Sequence, residues 1–422
     1  MGQTIFVPKE VDATEARVAA SPDTVKRLSG LGFNVVVEKD AGAGSRIPDA
    51  DFVAAGGSIG KSSDAGKADV VLKVRRPTDS ELKSYKSGAV VLASMDPYGN
   101  DAAVAAMAKA GISAFAMEFM PRITRAQSMD VLSSQANLAG YQAVIDAAAE
   151  YDRALPMMMT AAGTVPAAKI FVMGVGVAGL QAIATARRLG GVVTATDVRP
   201  AAKEQVASLG AKFLAVEDEE FKAAETAGGY AKEMSKEYQA KQAALTADHI
   251  SKQDIVITTA LIPGRPAPKL ISAAMVASMK PGSVIVDLAV ERGGNVEGSV
   301  PGKVVTTANG VKIIGHLNVP GRVAASSSLL YAKNLFAFLE TMIDKEKKAV
   351  VVNPDDELVK ATLLTHGGKV VHANFAKAEA AGAEATAKAA APAKKAAAPK
   401  KAAAPRKAPA RKPAAPKTKG GA

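Results

Sequence analysis

The sequence contains no cysteine and no tryptophan, and aromatic residues make up only 4% of its 422 residues. Without cysteine the chain can form neither disulfides nor zinc–thiolate sites, and it has no thiol nucleophile. The four histidines lack the spacing of a metal site, so we expect no metal. No apolar run approaches the roughly 18 residues of a membrane-spanning helix. The first residues also lack a signal-peptide pattern, and we therefore expect a cytoplasmic protein.

The net charge of +12 comes almost entirely from the end of the chain. Eleven lysines and arginines and no acidic residue lie from Lys388 onward, which leaves +1 for the rest. Residues 379–422 are mainly alanine, lysine and proline, a composition that predicts a disordered basic tail. The tail has no aromatic residue to stack on a base, so we expect no specific nucleic-acid binding. A solvated spacer, contact with anionic lipid and nonspecific nucleic-acid binding remain open for it.

Short apolar runs alternate with helical patterns along the first 130 residues. The predicted strands are Thr4–Pro8, Asn34–Glu38, Val70–Val74, Ala89–Ser94 and Ser113–Glu118, and helices are predicted at Ser21–Gly32 and Asp101–Gly111. This alternation predicts a parallel sheet covered by helices on both faces. The alanine-rich stretch 135–151 predicts one long helix that leads into a second unit.

The second unit repeats the same alternation. Its predicted strands are Lys169–Met173, Val192–Thr196, Lys212–Ala215, Asp254–Thr259, Ser283–Asp287, Val304–Thr306 and Lys312–Ile314, and its predicted helices are Leu180–Leu189 and Ala201–Leu209. The charged stretch 217–250 interrupts the alternation and is predicted to be a surface loop. An amphipathic helix at 322–345 is assigned back to the first unit.

These patterns predict an α/β protein with two Rossmann-like parallel-sheet domains joined by long helices. The first domain is expected to comprise residues 1–134 and 322–378. The second domain is expected to comprise residues 135–321, and the tail follows from residue 379.

A glycine-rich loop directly follows the strand Lys169–Met173 and opens a helix, which is the context of a dinucleotide-binding site. In its Gly-x-Gly-x-x-Gly pattern the first glycine permits a tight turn, the second admits the pyrophosphate, and the third lets helix and strand pack closely. The amides at the start of the helix then face the phosphates. A structural turn that binds nothing is the alternative. The predicted cofactor residues of this region are Gly174, Val175, Gly176, Val177, Gly179, Asp197, Val198 and Arg199.

Asp197 decides which dinucleotide we expect. It ends the next predicted strand, 18 residues after Gly179, where an acidic side chain accepts hydrogen bonds from ribose hydroxyls. Its charge would also repel a 2′-phosphate, so the sequence predicts NAD(H). NADP(H) remains an alternative because the neighbouring Arg199 could hold a 2′-phosphate.

A second polar segment, residues 121–134, follows a strand end and precedes the long helix. Loops at the carboxyl ends of strands line the ligand crevice in open α/β sheets. The guanidinium, amide, carboxylate and hydroxyl groups of this segment suit the carboxamide and ribose of a nicotinamide nucleotide. The alternative is a solvated loop in which Asp130 or Ser133 caps the next helix.

Two motifs make a family resemblance specific. Arg-x-x-Arg-Ala-Gln-Ser-Met-Asp-x-Leu-Ser-Ser-Gln at 122–135 and Gly-Val-Gly-Val-Ala-Gly-Leu-Gln-Ala at 174–182 resemble the NAD(H)-binding component of proton-translocating NAD(P) transhydrogenases. The similarity extends over roughly residues 1–378. It implies that Arg122, Gln127 and Asp130 act catalytically by contacting nicotinamide and its ribose. It also implies cofactor contacts from Ser128, Met129, Ser133, Gly229, Tyr230, Met234, Gln242 and Leu261.

The resemblance also implies how the protein would work with others. Hydride would pass between NAD(H) on this chain and NADP(H) on a partner subunit, and a membrane-spanning subunit would couple the exchange to proton translocation. The chain would be a homodimer, held through its partners at the cytoplasmic face of the inner membrane. The stretch Gly-Gly-Tyr-Ala-Lys-Glu-Met at 228–234 is similar to a mobile loop that closes over nucleotide in this family.

The opening of the chain also resembles alanine dehydrogenase, in the stretches 7–10, 15–19 and 71–74. In that enzyme an arginine and a lysine matching Arg17 and Lys73 hold the substrate, and a histidine catalyses. Here the corresponding segment, Leu92–Pro97, has no histidine, and none of the four histidines lies near it. We interpret Arg17 and Lys73 as structural. An amino-acid oxidoreductase and a non-catalytic NAD(H) sensor remain the alternative functions.

Overall fold

The computed structural model describes residues 2–224, 234–261 and 264–376. These residues belong to one compact unit that contains two large sheets. Gly229, Tyr230 and the tail lie outside the described residues. Within the described part of the chain, no helix is long and apolar enough to cross a membrane.

The first sheet has eight strands. Their bounds are β1 Thr4–Val7, β2 Asn34–Glu38, β3 Ser58–Gly60, β4 Val70–Arg75, β5 Val90–Ser94, β6 Ser113–Ala116, β18 Leu363–His366 and β19 Lys369–Val370. They lie side by side in the order β3-β2-β1-β4-β5-β6-β18-β19. Strands β1 to β6 are parallel, whereas β18 and β19 run antiparallel at one edge.

Helices cover the first sheet on both faces, which explains why its strands are nearly continuous apolar runs. The helices of this part are α1 Pro22–Gly30, α2 Asp49–Ala54, α3 Asp79–Leu82, α4 Asp101–Lys109, α11 Ala324–Glu340 and α12 Glu357–Thr362. The amphipathic helix α11 buries Tyr331, Leu335 and Phe338 in the core beneath this sheet. The chain therefore returns to the first sheet after it has completed the second.

The second sheet has seven strands. Their bounds are β9 Lys169–Met173, β10 Val192–Thr196, β11 Lys212–Phe213, β12 Ile255–Thr258, β13 Val284–Asp287, β14 Val304–Thr306 and β15 Lys312–Ile314. Their order is β11-β10-β9-β12-β13-β15-β14, and β14 is antiparallel. The chain direction reverses across the sheet between β9 and β12, so this point is where an open α/β sheet binds its ligand.

The remaining elements surround the second sheet or form small hairpins. The helices are α5 Val131–Glu150, α6 Val177–Arg188, α7 Ala202–Ser208, α8 Glu219–Lys222, α9 Lys236–Ile250 and α10 Ala273–Ser278. The hairpin strands are β7 Met158–Thr160 with β8 Gly163–Val165, and β16 Ile343–Asp344 with β17 Ala349–Val350.

The predicted fold class is confirmed, since both sheets are Rossmann-like and mostly parallel. The surface loop predicted at 217–250 is wrong in part, because residues 236–250 form the helix α9. Ser235 caps this helix, and Tyr238 and Ile250 are buried. The long helix begins at Val131 instead of residue 135, so the predicted domain boundary at 134/135 falls inside α5. The domain limits stay a prediction.

Candidate nucleotide-binding site

The glycine-rich loop leaves β9 in a turn that requires glycine at two positions. Gly174 has a φ of +100°, in the region that side chains rarely adopt. At Gly179 an added Cβ would lie 1.9 Å from the carbonyl oxygen of Gly174, so helix α6 can approach the loop only without a side chain. These two glycines therefore set the shape of the loop.

Gly176 differs from both, because an added Cβ there would meet no atom within 4 Å. Gly176 is the N-cap of α6, and no side chain accepts a hydrogen bond from the amides of the first turn. Val175 is buried, whereas Val177 is exposed. Amides at a helix start with open space before them suit an anionic group such as a pyrophosphate. The loop thus fits a dinucleotide.

Asp197 directly follows β10 and holds the loop. Its carboxylate accepts a hydrogen bond from the Val175 amide at 2.7 Å. Arg199 forms an ion pair with Asp197, with 2.9 Å from Nε to Oδ1, and also donates to the Val175 carbonyl at 3.0 Å. Val198, between them, is exposed. The charge at the strand end is therefore paired within the chain itself.

The start of α5 carries the second group of predicted residues. Asp130 is the N-cap of α5, and it accepts hydrogen bonds from the Ser133 amide at 2.9 Å and the Ser133 hydroxyl at 2.6 Å. The Ser128 carbonyl accepts a hydrogen bond from Asn334 at 2.8 Å. The Met129 side chain is buried in the first core, so its side chain does not face a ligand crevice as predicted. Asp130 and Ser133 thus also have the capping role that the sequence left open.

Arg122 and Gln127 belong to the same segment and have exposed side chains. Residues 124–129 form a short 3₁₀ helix, which turns the chain before α5 begins. Arg125 is tied to Asp356 by an ion pair of 2.6 Å, so this turn is anchored to the start of α12. The polar groups predicted for nicotinamide therefore project from an ordered turn.

Helix α5 brings this segment and the glycine loop together. It packs along α6, and an added Cβ on Gly140 would lie 2.0 Å from the Ala178 carbonyl oxygen. Asn137 donates a hydrogen bond to Gln181 across the same contact, at 3.2 Å. Asp130 precedes Gly140 by ten residues, which corresponds to about 15 Å along a helix. An extended dinucleotide is a ligand of the length needed to reach both places.

Three further predicted contact residues lie in or beside the segment 217–261. Met234 is buried in a small cluster with Phe221 and Tyr238, so its side chain packs inside the protein. Gln242 donates to the Thr196 hydroxyl at 3.1 Å and accepts from the Val216 amide at 3.0 Å. Leu261 is half exposed.

Arg17 lies in a closed polar network between the two sheets. Its guanidinium donates to Glu15 at 2.7 Å, to Gln135 of α5 at 2.8 Å and to Asn318 at 3.1 Å. The Arg17 and Glu15 side chains are nearly inaccessible. All these partners belong to the chain itself, which agrees with the structural interpretation.

Lys73 is fully buried and is also held from within the chain. Its ammonium lies 2.6 Å from Glu81 and 3.3 Å from Glu10. Burial raises the pKa of Glu10, while the nearby Lys73 opposes that rise. A buried lysine between two carboxylates has its charge balanced without a substrate.

The expectation that no histidine lies near the segment 92–97 needs a correction for His372. Its ring stacks on Phe119 at 5.0 Å, and Phe119 contacts Tyr98 at 5.6 Å. The fold brings distant parts of the chain together here, which the spacing could not reveal. His372 Nε2 donates to the Ala361 carbonyl at 3.2 Å, and Nδ1 accepts from the Asn374 amide at 3.3 Å. Both nitrogens are thus engaged in local structure.

Sequence reasoning missed the support behind the glycine loop. The Thr259 hydroxyl donates to the Gly174 carbonyl at 3.1 Å, and Asn295 bonds both backbone groups of Ala260. No local motif marks these residues, because each acts on a part of the chain far away in sequence. Among the described residues, no group of histidine, aspartate and glutamate could hold a metal ion.

Comparison with known proteins agrees with this geometry. The model of the alanine dehydrogenase/PNT N-terminal domain matches residues 6–139, and that of the C-terminal domain matches residues 143–373. The chain belongs to the alanine dehydrogenase/PNT family. The family binds NAD(H), in agreement with the predicted cofactor.

Individual relatives divide the family further. The chain is 57% identical over 375 residues to an NAD(P) transhydrogenase alpha subunit of Rhodospirillum rubrum, covering 87% of this chain and 97% of the relative. It is 31% identical to an alanine dehydrogenase of Methanococcus maripaludis, over 89% of this chain and 96% of the relative. A crystal structure of transhydrogenase from Sinorhizobium meliloti is 69% identical with a TM-score of 0.81, over 87% of this chain and all of that chain. The family member is thus much more similar to these transhydrogenases than to that dehydrogenase.

Proposed function

We propose that this chain is the NAD(H)-binding component of a proton-translocating NAD(P) transhydrogenase. It would transfer hydride between NAD(H) on its second sheet and NADP(H) on a partner subunit. The observation that carries the proposal is the open start of α6 at Gly176, bordered by Asp197. The names of the similar relatives support the choice of transhydrogenase over other NAD-linked functions.

Each part of the site has a proposed role toward NAD(H). The amides of residues 174–179 bind the pyrophosphate, and Asp197 accepts hydrogen bonds from the adenosine ribose. Arg122, Gln127 and Asp130 bind and orient the nicotinamide end, from the turn before α5. Further contacts are proposed for Ser128, Ser133, Val198, Arg199, Gly229, Tyr230, Gln242 and Leu261.

The chemistry asks little of the protein beyond position. Bound nicotinamide supplies the hydride, and transfer between two nicotinamides requires no proton donor from the chain. Arg122 and Gln127 would set which face of the ring is presented, and the surrounding loops would exclude water. This division of labour agrees with the absence of a histidine from Leu92–Pro97.

The proposal includes partners that this chain alone does not contain. An NADP-binding subunit would present its nicotinamide against the outward face of the site. A membrane-spanning subunit would couple the exchange to proton movement and hold the complex at the cytoplasmic face of the inner membrane. We also propose that the chain is a homodimer, and that the basic residues after Lys388 contact anionic lipid near these partners.

The buried ion pairs distinguish this function from amino-acid oxidation. Arg17 and Lys73 are saturated by Glu15, Glu10 and Glu81, so a substrate carboxylate would have to displace buried internal partners. Removing such a partner from a buried charge is costly. We therefore expect no turnover of alanine or pyruvate.

The test is to mix the purified chain with the NADP-binding component, NADH and an oxidised NADP analogue. We expect reduction of the analogue, and none when either protein is left out. If NADH binds but no hydride is exchanged, the transhydrogenase proposal is wrong. Activity with alanine or pyruvate would support the dehydrogenase, and NAD-dependent binding of residues 379–422 to a polyanion without any catalysis would support a sensor.

A further inference from the structure

Two loops from different sheets meet at an ion pair between Asp96 and Arg292. Asp96 follows β5 of the first sheet, and Arg292 follows β13 of the second. The same first-sheet loop also meets the second sheet through Tyr98, whose ring lies 3.1 Å from the place of a Cβ on Gly264. The sheets are therefore joined here by side chains, in addition to the connections of the chain.

The first-sheet side of the contact is held in one conformation. The buried Glu118 carboxylate accepts hydrogen bonds from the amides of Met95, at 3.0 Å, and Asp96. Arg76 donates to the carbonyl oxygens of the same two residues, at 3.2 and 2.9 Å. Asp96 has a φ of +46°, which is unfavourable for a residue with a side chain. These contacts impose that conformation and aim the Asp96 carboxylate at the second sheet.

The second-sheet side is equally constrained. The buried Asp287 accepts hydrogen bonds from the backbone amides of Ala289, Asn295 and Val296, at 3.0 to 3.2 Å. The turn that carries Arg292 is thereby fixed to the end of β13. Asn295 then donates to the Ala260 carbonyl at 2.9 Å and accepts from its amide at 3.1 Å.

This turn connects directly with the glycine loop. Ala260 adjoins Thr259, whose hydroxyl donates to the Gly174 carbonyl at 3.1 Å. A continuous series of contacts therefore runs from Asp96 of the first sheet to the loop that receives the pyrophosphate. Its weakest member is the Asp96–Arg292 pair, because both side chains are nearly half exposed, at 46% and 47%.

We propose that Asp96 and Arg292 are positioning residues that hold the first-sheet loops in place over the glycine loop of the second sheet. They would fix the nicotinamide end of NADH relative to the pyrophosphate end, and thereby set the ring for hydride transfer. This inference rests on the proposed function. An exposed ion pair suits the task because it can break when nucleotide enters or leaves and form again afterwards.

The test uses the variants Asp96→Asn and Arg292→Gln and the charge-reversed double variant Asp96→Arg with Arg292→Asp. Lys86→Gln is the matched control, because it breaks a 2.6 Å ion pair with Asp69 inside the first sheet. Since the chain has no cysteine, Val53→Cys and Val192→Cys, each 52% exposed, provide one spin label on each sheet. Labelled chain diluted with unlabelled chain reports distances within one molecule.

We expect both single variants to broaden the distance distribution and slow hydride exchange, by up to about fivefold, the limit for one exposed ion pair. The charge-reversed variant should recover part of both, and Lys86→Gln should change neither. NADH affinity should change less than the exchange rate, because the glycine loop is intact in all variants. Unchanged distances and rates in the single variants would overturn the inference, as would an equal effect of Lys86→Gln.

The two proposals can fail separately. If the wild-type chain exchanges no hydride with any partner, the proposed function fails, while the distance measurement with and without NADH still tests the ion pair. If the wild-type chain exchanges hydride and the single variants match it in rate and distance, the positioning role alone is refuted.

Discussion

At the scale of single residues, Asp197 has two tasks that compete for the same oxygens. Its carboxylate accepts a hydrogen bond from the Val175 amide and pairs with Arg199. The proposed ribose hydroxyls would require acceptor positions on the same group. Binding of NAD(H) should therefore rearrange Arg199 while Asp197 keeps the loop in place.

Asp197→Asn is predicted to weaken NADH binding by about tenfold, because hydrogen bonds to a charged acceptor are the stronger ones. Binding of NADPH should weaken less, since the negative charge that repels the 2′-phosphate is lost. Equilibrium titration with both nucleotides measures the two affinities. An unchanged ratio of the affinities would show that Asp197 does not select the cofactor.

Gly176→Ala is predicted to separate folding from binding. The backbone there has φ −77°, which alanine adopts, and the added methyl group meets no protein atom. Stability should stay within about 0.5 kcal/mol, whereas NADH affinity should fall by at least about tenfold because the methyl group enters the pyrophosphate space. Gly30→Ala, also in open space, is the control and should bind NADH normally. Normal binding by Gly176→Ala would place the pyrophosphate elsewhere.

At the scale of elements, α5 and α6 determine how the two halves of the site are spaced. Their closest approach is at Gly140, against the Ala178 carbonyl next to the glycine loop. The proposed nicotinamide residues lie before the start of α5, and the proposed phosphate amides lie at the start of α6. A change in this helix contact should therefore reach both ends of a bound dinucleotide.

Gly140→Val is predicted to force the helices apart and lower the free energy of unfolding by about 1–3 kcal/mol, as overpacking does. NADH affinity should fall as well, although no ligand contact is removed. Ala149→Val, on an exposed position of the same helix, controls for the β-branched side chain. Urea unfolding and NADH titration measure both effects. Normal stability of Gly140→Val would contradict the tight contact.

The elements themselves were mostly predictable from the sequence. The buried strands Asn34–Glu38, Lys169–Met173 and Val192–Thr196 were predicted with the observed bounds, because parallel strands covered on both faces are continuous apolar runs. Helix α9 was not predicted, since its charged residues obscure the few positions that it buries. The short edge strands β3, β18 and β19 were also missed, as such strands carry little pattern.

The candidate site was predictable where one segment carries the chemistry. The glycine loop and Asp197 are brought together as expected, through the Val175 amide. The contacts of Asp96 with Arg292 and of Thr259 with Gly174 join segments far apart in the chain. Periodicity and local motifs report neighbours along the chain, so they contain no information on such pairs.

At the scale of the whole molecule, three half-buried histidines make stability depend on pH. Burial lowers the pKa of His249, His316 and His372 from the ordinary value of 6.5. The unfolded chain therefore binds these protons at a higher pH than the folded chain does. Acidification through that range favours the unfolded state.

The free energy of unfolding is accordingly predicted to fall as the pH is lowered from about 7.5 to about 5.5. His249→Gln should reduce this pH dependence, because its ring packs against Phe171 and bonds Thr194 at 2.8 Å. Urea unfolding at a series of pH values measures both. A free energy that is constant or rises on acidification would contradict the direction of these shifts.

The whole molecule also explains why one chain would hold half of a reaction. Its internal charges saturate Arg17 and Lys73, while the glycine loop and the turn before α5 stay open for a dinucleotide. The site can position a nicotinamide, but the segment 92–97 presents no histidine for acid–base chemistry. Direct transfer to a second nicotinamide, held by a partner, is the reaction that these features favour.

The most direct measurement of that claim follows a deuterium label. The chain, the NADP-binding component, an oxidised NADP analogue and NADH deuterated at the transferable C4 position are mixed in ordinary water. The account predicts that the deuterium arrives undiluted at C4 of the reduced analogue, because the hydride passes directly between the rings. Loss of the label to water, or bound NADH without any labelled product, would contradict it.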